Sequence, residues 1–284
     1  MKIAVLGLGK MGQAISERLL QGGHHVTVWN RSKGKADQLL EKGATEADTP
    51  QVAVTSAEVA ITSLANDDAV REVALGEGGI HSTLGDRTYV DCSTSSPWLS
   101  TELDASFARF VALPILGAPP AVRAGEATYL AGGDRETVEG IRPMLDTLSE
   151  HVKCYPRPEM ASSAKLAVNL LLLSDIATLA EAFAVGRAGG LGDEELTDLL
   201  ADSPVVATGI KNRFQTILEG SGPTWWTTEL GAKDARLASE LVDGKGSTRL
   251  WIGPVLRDLY TAAADAAYRD DDVAFVARMY RPES

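Results

Sequence analysis

Short apolar runs alternate with amphipathic stretches over the first 158 residues of the chain. The apolar runs have the length and β-branched content of buried strands, and the stretches between them repeat apolar positions with the period of a helix. Alternating strands and helices fold into a mainly parallel sheet that helices cover on both faces. Strands are predicted at 2–6, 25–29, 59–64, 88–92, 110–114 and 127–131, and helices at 13–21, 33–42, 67–73 and 135–148.

The pattern changes after Tyr155-Pro156-Arg157-Pro158, which predicts a linker because two prolines resist both helix and strand. Beyond it the helical period dominates and no strand period is convincing. Helices are predicted at 161–189, 193–201, 209–218, 228–242 and 253–268. The sequence therefore predicts a doubly wound α/β domain over residues 1–158 and an all-α domain over residues 159–284, which the long helix joins.

A glycine-rich turn, Gly7-Leu8-Gly9-Lys10-Met11-Gly12, joins the first predicted strand to the first predicted helix. Strand, turn, helix and second strand form the context in which this spacing binds a dinucleotide. The first glycine permits the tight turn, the second leaves room for a pyrophosphate, and the third lets helix and sheet pack closely. The N–H groups of the helix N-terminus would face the phosphates. The alternative is an ordinary glycine turn, and we favour a Rossmann-type nucleotide-binding domain.

The residues that end the second predicted strand indicate which cofactor is bound. An acidic residue there would hold the ribose 2′-hydroxyl of NAD, but this chain has Asn30, Arg31 and Ser32, with Lys35 close behind. Arginine forms paired hydrogen bonds to phosphate, and serine adds a donor. The pattern predicts NADP(H), and the alternative is a solvated basic start to the second helix.

Composition and charge limit the partners. The 284 residues are 44% hydrophobic and 23% charged, as in ordinary globular proteins. A net charge of −12 argues against nucleic acid or an anionic membrane as partner. The two cysteines and four histidines have no metal-ligand spacing, so no metal site is predicted. Two cysteines without CxxC spacing favour a reducing cytoplasm and leave other compartments open. An immediate strand leaves no room for a signal peptide, and polar groups within 166–185 favour a buried helix over a membrane span.

Three further segments carry a resemblance to a known family. They are Asp91-Cys92-Ser93-Thr94-Ser95-Ser96-Pro97, Lys165-Leu166-Ala167-Val168-Asn169 at the opening of the long helix, and Lys233-Asp234-Ala235-Arg236-Leu237-Ala238 in a late helix. With the glycine motif, their order and spacing resemble the β-hydroxyacid dehydrogenase family, which includes 3-hydroxyisobutyrate dehydrogenases and glyoxylate or succinic semialdehyde reductases. The resemblance covers nearly the whole chain. It implies hydride transfer between NADP(H) and a small carbonyl or hydroxy compound, with the active site between the two domains.

The resemblance assigns the proton transfer to Lys165. Reduction of a carbonyl needs a proton for the developing alkoxide, which a lysine can supply, or accept in the reverse direction. Asn169 lies one helical turn further on the same face, where it can orient the lysine or bind the substrate. From the helix alone, the alternative is a solvated lysine and an asparagine satisfied by the backbone. Both residues match the family's catalytic pair, which favours the catalytic interpretation.

The resemblance implies further contacts. Ser93 would touch the substrate and Thr94 the nicotinamide half of the cofactor, although turns and helix N-caps also place hydroxyl groups at such positions. Leu64 and Ala65 would pack beside adenine, with core packing as the alternative. Lys233 would reach the cofactor or substrate, with a solvated lysine as the alternative.

One segment departs from the family pattern. Where the family has Ser-Gly-Gly to hold a substrate carboxylate, this chain has Leu116, Gly117 and Ala118, followed by two prolines. The leucine removes a hydroxyl donor and the prolines remove N–H groups, so we expect a substrate that is larger, less charged or not a hydroxy acid. Trp225 and Trp226 could line an apolar pocket or pack between helices.

Two other functions stay open. Imine reductases share the architecture, but they generally have another residue, often aspartate, at the position of Lys165. A non-catalytic NADP-binding protein would keep the glycine motif and Arg31 without needing the lysine and asparagine pair. Family members commonly dimerise or tetramerise through their helical domains, so the resemblance implies a homodimer or homotetramer that binds a small-molecule substrate.

Overall fold

The computed structural model describes residues 1–246 and 248–280, and the chain divides into one compact unit, Met1–Lys165, and a second that begins at Leu166. The strands among the described residues all belong to the first unit. They are β1 (Lys2–Leu6), β2 (His25–Trp29), β3 (Thr45–Glu46), β4 (Val59–Thr62), β5 (Thr88–Asp91), β6 (Phe110–Ala112), β7 (Ile115–Leu116), β8 (Thr128–Gly133) and β9 (Val152–Tyr155).

Helices follow most of these strands in the first unit. They are α1 (Lys10–Gln21), α2 (Asp37–Leu40), α3 (Pro50–Val54), α4 (Asp67–Leu75), α5 (His81–Leu84), α6 (Pro97–Ser106), α7 (Pro119–Ala124), α8 (Arg135–Gly140) and α9 (Arg142–Leu148). The next helices are α10 (Pro158–Ala188), α11 (Asp193–Ala201), α12 (Thr208–Lys211), α13 (Phe214–Glu219), α14 (Thr228–Lys245) and α15 (Gly253–Ala263), then a π-helical stretch (Ala264–Tyr268) and a 3-10 helix (Val273–Tyr280).

The strands of the first unit form one sheet in the order β3-β2-β1-β4-β5-β6-β8-β7, with β9 paired to β8. From β3 to β6 the neighbours are parallel, whereas β8 is antiparallel to both β6 and β7. The chain builds outward from β1 on one side and from β4 on the other, so its direction reverses between β1 and β4. Open α/β sheets bind ligands at the carboxyl ends of the strands beside such a reversal. The predicted doubly wound fold is confirmed.

Alternation along the central strands places apolar side chains on both faces of the sheet. In β1, Ile3 and Val5 join one buried cluster, whereas Ala4 and Leu6 join the other. Successive strand residues point to opposite faces, so a strand that is buried on both sides must be apolar at every position. This requirement explains the continuous apolar runs of the sequence.

Two predicted helices of the first unit are shortened or divided. The helix predicted at 33–42 is only Asp37–Leu40, because the chain turns at Gly34, whose φ is +79°. The helix predicted at 135–148 is divided at Ile141 into α8 and α9. Pro143 lies in the first turn of α9, where its missing N–H cannot continue the hydrogen bonding of α8.

The linker predicted at 155–158 is reduced to two residues, Pro156 and Arg157. Tyr155 ends β9, and Pro158 is the first residue of α10, a position where proline's missing N–H costs no helical hydrogen bond. Lys165 therefore lies two turns inside α10 rather than at its opening. The helix is long and apolar enough to cross a membrane by length and composition, a test that the core helix of a soluble protein also passes.

The second unit is helical, as predicted. Over the described residues 166–246 and 248–280, the β-type pairing is one isolated bridge between Thr227 and Asp272. The helix predicted at 209–218 is divided before Phe214, and Arg213 at this division forms a buried ion pair with Asp272. The helix predicted at 253–268 ends at Ala263, and Ala267 in the π-helical stretch has a φ of +87°.

Candidate active site

The glycine turn is tightly packed at Gly7 and Gly12 and open at Gly9. A Cβ on Gly7, whose φ is +102°, would collide with the carbonyl of Ser63, and one on Gly12 would collide with the carbonyl of Gly7. A Cβ on Gly9 would meet nothing within 4 Å. The packing therefore leaves room for a ligand at Gly9, immediately before the N-terminus of α1, as the binding of a pyrophosphate requires.

Asn30 ties the loop after β2 to this turn. Its Oδ1 accepts a hydrogen bond of 2.9 Å from the N–H of Leu8, and its Nδ2 donates to the carbonyl of Ser32 at 2.8 Å. Arg31, Ser32 and Lys35 are exposed. Together with the open position in the glycine turn, these groups fit a dinucleotide that has an additional phosphate on its ribose.

A buried carboxylate organises the loops after β4 and β5. Asp91 is 2% exposed, and its Oδ1 accepts from the hydroxyl of Thr62 at 2.8 Å and from the N–H of Ser93 at 3.0 Å. Its Oδ2 accepts from the hydroxyl of Ser95 at 2.7 Å. We call these four residues the Asp91 cluster. The cluster fixes the course of the chain at the carboxyl end of β5.

The serine hydroxyl groups of the loop after β5 have different hydrogen-bond partners. Ser96 caps α6, since its Oγ accepts from the N–H of Leu99 at 3.1 Å. The Oγ of Ser93 instead accepts from the N–H of Leu64 at 2.9 Å and joins the loop after β5 to the loop after β4. Thr94 is half-buried, Leu64 packs partly against the core, and Ala65 is exposed. The residue that caps a helix in this loop is therefore Ser96, and not Ser93 or Thr94.

Burial controls the ionisation of the neighbouring groups. It raises the pKa of Tyr89 well above its ordinary value, and the charge of Asp91 adds to the shift. The same two causes raise the pKa of the Cys92 thiol. The Tyr89 hydroxyl, 2.8 Å from that of Thr62, therefore stays protonated, and Cys92 is a core residue rather than a nucleophile.

Lys165 is held by backbone on the first unit. Its Nζ donates a hydrogen bond of 2.6 Å to the carbonyl oxygen of Ile115 in β7. The side chain is half-buried, and its helix neighbour Ala161 is fully buried in the core on one face of the sheet. The ammonium group is therefore positioned beside the segment that begins at Leu116.

That segment presents few polar groups. Leu116 is half-buried, Gly117 is exposed with a φ of +147°, and Ala118 precedes the two prolines that begin α7. The basic residue of α7, Arg123, is ion-paired with the buried Glu17 of α1.

Lys42 also binds Glu17, at 2.7 Å. Burial alone would raise the pKa of Glu17, but the hydrogen bonds from Lys42 and Arg123 outweigh it and hold the pKa below its ordinary value. Glu17 therefore joins α1, α7 and the chain after α2 as a carboxylate.

On the second unit, a buried carboxylate holds the other predicted catalytic residue. Asn169 is 4% exposed and its Nδ2 donates to Oδ2 of Asp234 at 2.7 Å. The second oxygen, Oδ1, lies 3.0 Å from Nζ of Lys233. Asp234 thus fixes the Asn169 amide and partly neutralises Lys233, which is largely buried rather than solvated.

Trp225 and Trp226 lie in a loop that Asp272 organises. The backbone N–H groups of both tryptophans donate hydrogen bonds to Oδ2 of Asp272, at 3.1 and 3.3 Å. Asp272 also forms a buried ion pair with Arg213 at 3.0 Å, and the Arg213 guanidinium lies 5.8 Å from the centre of the Trp225 ring. Both indole side chains are half-buried. The loop is therefore fixed with its tryptophans only partly covered.

Sequence reasoning missed three groups that hold candidate residues: the Asp91 carboxylate and the carbonyl of Ile115 in the first unit, and the Asp234 carboxylate in the second. A signal existed for the two carboxylates, because Asp91 lies two residues before Ser93 at a strand end and Asp234 follows Lys233. Nothing in the sequence indicated the carbonyl. Within the described ranges, no group of three or more His, Cys, Asp or Glu side chains could hold a metal ion.

Two family models match this chain, and together they span nearly all of it. The NAD-binding domain of 6-phosphogluconate dehydrogenase matches residues 2–156. The NAD-binding domain of NADP-dependent 3-hydroxyisobutyrate dehydrogenase matches residues 160–280. An uncharacterised oxidoreductase of Bacillus subtilis, YfjR, is 35% identical over 246 residues, which are 84% of this chain and 85% of that protein.

Solved structures share the fold. A 3-hydroxyisobutyrate dehydrogenase of Mycobacterium tuberculosis with L-serine has a TM-score of 0.85 and 24% identity, and the match covers 99% of each chain. An imine reductase of Myxococcus stipitatus in complex with NADP⁺ has a TM-score of 0.69 and 22% identity, covering 99% of this chain and 100% of that one. The family matches extend over both units, so the chain belongs to the β-hydroxyacid dehydrogenase family of nicotinamide-dependent oxidoreductases.

Proposed function

We propose that the protein is an NADP(H)-dependent reductase and dehydrogenase of small carbonyl and hydroxy compounds, with Lys165 as general acid and base. The observation that supports it most is the 2.6 Å hydrogen bond from Lys165 to the Ile115 carbonyl, which gives the ammonium group a fixed position. A catalytic acid must be held within hydrogen-bond reach of the atom that it protonates. A solvated lysine would have no such restraint.

When bound, the reduced cofactor supplies a hydride to the carbonyl carbon. Lys165 donates a proton to the oxygen as negative charge develops there, and in the direction of oxidation it accepts the hydroxyl proton. Asn169 follows by one turn of α10, and its amide is held by Asp234. In this scheme Asn169 orients the lysine or the substrate hydroxyl, Ser93 and the segment 116–118 contact the substrate, and Trp225 and Trp226 line its apolar side.

The cofactor would bind along the glycine turn and the loop after β2. Gly7, Leu8, Gly9, Lys10, Met11 and Gly12 would surround the pyrophosphate, Leu64 and Ala65 would pack on adenine, and Thr94 and Lys233 would contact the nicotinamide half. Arg31, Ser32 and Lys35, with Asn30 as their anchor, would bind the 2′-phosphate. Their exposure supports this assignment, whereas Lys33 is already paired with Asp48 at 3.0 Å.

The experiment that tests the proposed function is NADPH oxidation with a panel of aldehydes, ketones and cyclic imines, together with NADP⁺ reduction by hydroxy compounds. Turnover with carbonyl and hydroxy compounds that Lys165→Ala abolishes supports the proposal. Turnover with cyclic imines alone would instead support an imine reductase, an enzyme class whose fold this chain shares. Tight NADPH binding without turnover on any substrate would support a non-catalytic NADP-binding protein.

We also propose that the protein is cytoplasmic and forms a homodimer or homotetramer. Val168, Leu171 and Val185 of α10 are 41, 63 and 73% exposed in the single chain, and a second copy would cover such apolar side chains. Light scattering on the purified protein measures the assembly, and a monomer at micromolar concentration would refute it.

A further inference from the structure

The chemical surroundings of Lys165 on the first unit indicate which substituent the substrate has. Nζ of Lys165 lies 2.6 Å from the Ile115 oxygen. A peptide oxygen and the following nitrogen are about 2.3 Å apart, so the ammonium group is within about 5 Å of the Leu116 backbone. A substrate whose carbonyl oxygen lies within hydrogen-bond reach of Lys165 can therefore place its neighbouring substituent against the chain that starts at Leu116.

No side chain in this stretch can hold an anion. Residues 116–120 are Leu-Gly-Ala-Pro-Pro, which have neither a hydroxyl, an amide nor a basic group. The prolines occupy the first two positions of α7, where a helix otherwise offers N–H groups to an anion. Leu116 is half-buried and packs against the core, so it presents apolar surface.

The basic side chain that is nearest in sequence to residues 116–120 is already in an ion pair. Arg123, at the end of α7, is ion-paired with Glu17, and the same carboxylate binds Lys42 at 2.7 Å. Release of Arg123 to a substrate would remove one of the two cations that face the buried Glu17 carboxylate, which is unfavourable. A carboxylate placed against Leu116 would lose its hydration without a charged partner from this segment.

We infer that the substrate is an aldehyde or ketone with an uncharged, apolar substituent beside its carbonyl, and that Leu116 is the specificity-determining residue that selects it over a carboxylate. The inference rests on the proposed function, since Lys165 must be the group that protonates the carbonyl. It narrows that function by excluding small hydroxy acids and semialdehyde acids as preferred substrates.

The test compares two aldehydes that differ in charge, succinic semialdehyde and its methyl ester, as substrates for NADPH oxidation. For the wild-type enzyme we expect kcat/KM to be at least about tenfold higher with the ester. Leu116→Ser supplies the smallest hydroxyl donor and should shift the ester-to-acid ratio at least about tenfold towards the acid. Leu40→Ser, in α2 and 39% exposed, is the matched control and should leave the ratio unchanged.

The outcomes distinguish a failure of the inference about the substrate from a failure of the proposed function. A wild-type enzyme that reduces the acid as well as the ester overturns the inference and leaves the proposed function standing, as does a folded Leu116→Ser variant with an unchanged ratio. If the Leu116→Ser variant does not fold, the ester-to-acid ratio of the wild-type enzyme alone decides whether the inference holds. Absence of NADPH oxidation with both aldehydes, while other carbonyl compounds of the panel are reduced, overturns the inference alone. Absence of turnover across the whole panel, or full turnover by Lys165→Ala, overturns the proposed function and the inference with it.

Discussion

Replacement of Asp91 tests whether one carboxylate fixes the loop after β5. In Asp91→Ala, the buried N–H of Ser93 and the buried hydroxyls of Ser95 and Thr62 each lose an acceptor, although the Thr62 oxygen keeps its hydrogen bond with the Tyr89 hydroxyl at 2.8 Å. A buried donor without a partner costs about 1–3 kcal/mol. We therefore expect the variant to lose about 3–5 kcal/mol of unfolding free energy, since the missing side chain also leaves a small cavity.

Asp91→Asn is the informative comparison. The amide oxygen keeps the bonds from Thr62 and Ser93, and the Ser95 hydroxyl can turn to accept from the new NH₂ group, so the expected loss is only about 1 kcal/mol. Urea unfolding followed by circular dichroism measures both variants, with the slope m expected to stay constant. Equal midpoints for the alanine and asparagine variants would refute the role of these hydrogen bonds.

Three further predictions concern the cofactor loop and the buried ion pairs. Arg31→Ala should weaken NADPH binding about tenfold or more while NADH binding changes little, measured by fluorescence titration, and equal losses would refute 2′-phosphate binding. The lowered pKa of Glu17 means that its ion pairs stabilise the fold above the carboxyl's ordinary pKa of 4.5 and that this stability is lost as the pH falls through the folded value. The difference in unfolding free energy between wild type and Glu17→Gln should therefore shrink below about pH 4.5, and a difference independent of pH would contradict this reasoning. Asp272→Ala leaves Arg213 buried without its partner and should cost about 3–5 kcal/mol in thermal or urea unfolding, whereas a loss below about 1 kcal/mol would mean that the pair contributes little.

The sequence was sufficient for the parts of the fold that depend on local pattern. The strand, glycine turn, helix and strand over residues 2–29 were predictable because periodicity and glycine positions act within a few residues. The buried ion pair of Arg213 was not, since its partner Asp272 is 59 positions away. Pro158 was misjudged as part of a linker because a proline that begins a helix and one that prevents it look alike in sequence.

The same distinction applies to the candidate site. Residue types at Lys165, Asn169 and Arg31 suggested their chemistry, and whether they perform it stays a prediction. The partners that hold them could not be predicted, because Ile115 is 50 positions from Lys165 and Asp234 is 65 positions from Asn169. Hydrogen bonds between distant segments require the fold, so the sequence indicated the candidates and the structure gave their contacts.

Steady-state turnover of Lys165→Ala tests the central claim most directly, when it is measured alongside NADPH affinity and thermal unfolding. Removal of a general acid lowers kcat by about 10²–10⁴-fold, and NADPH affinity and the unfolding temperature should stay close to wild type. Wild-type kcat in a folded variant that binds NADPH normally would contradict the assignment of the proton transfer to Lys165.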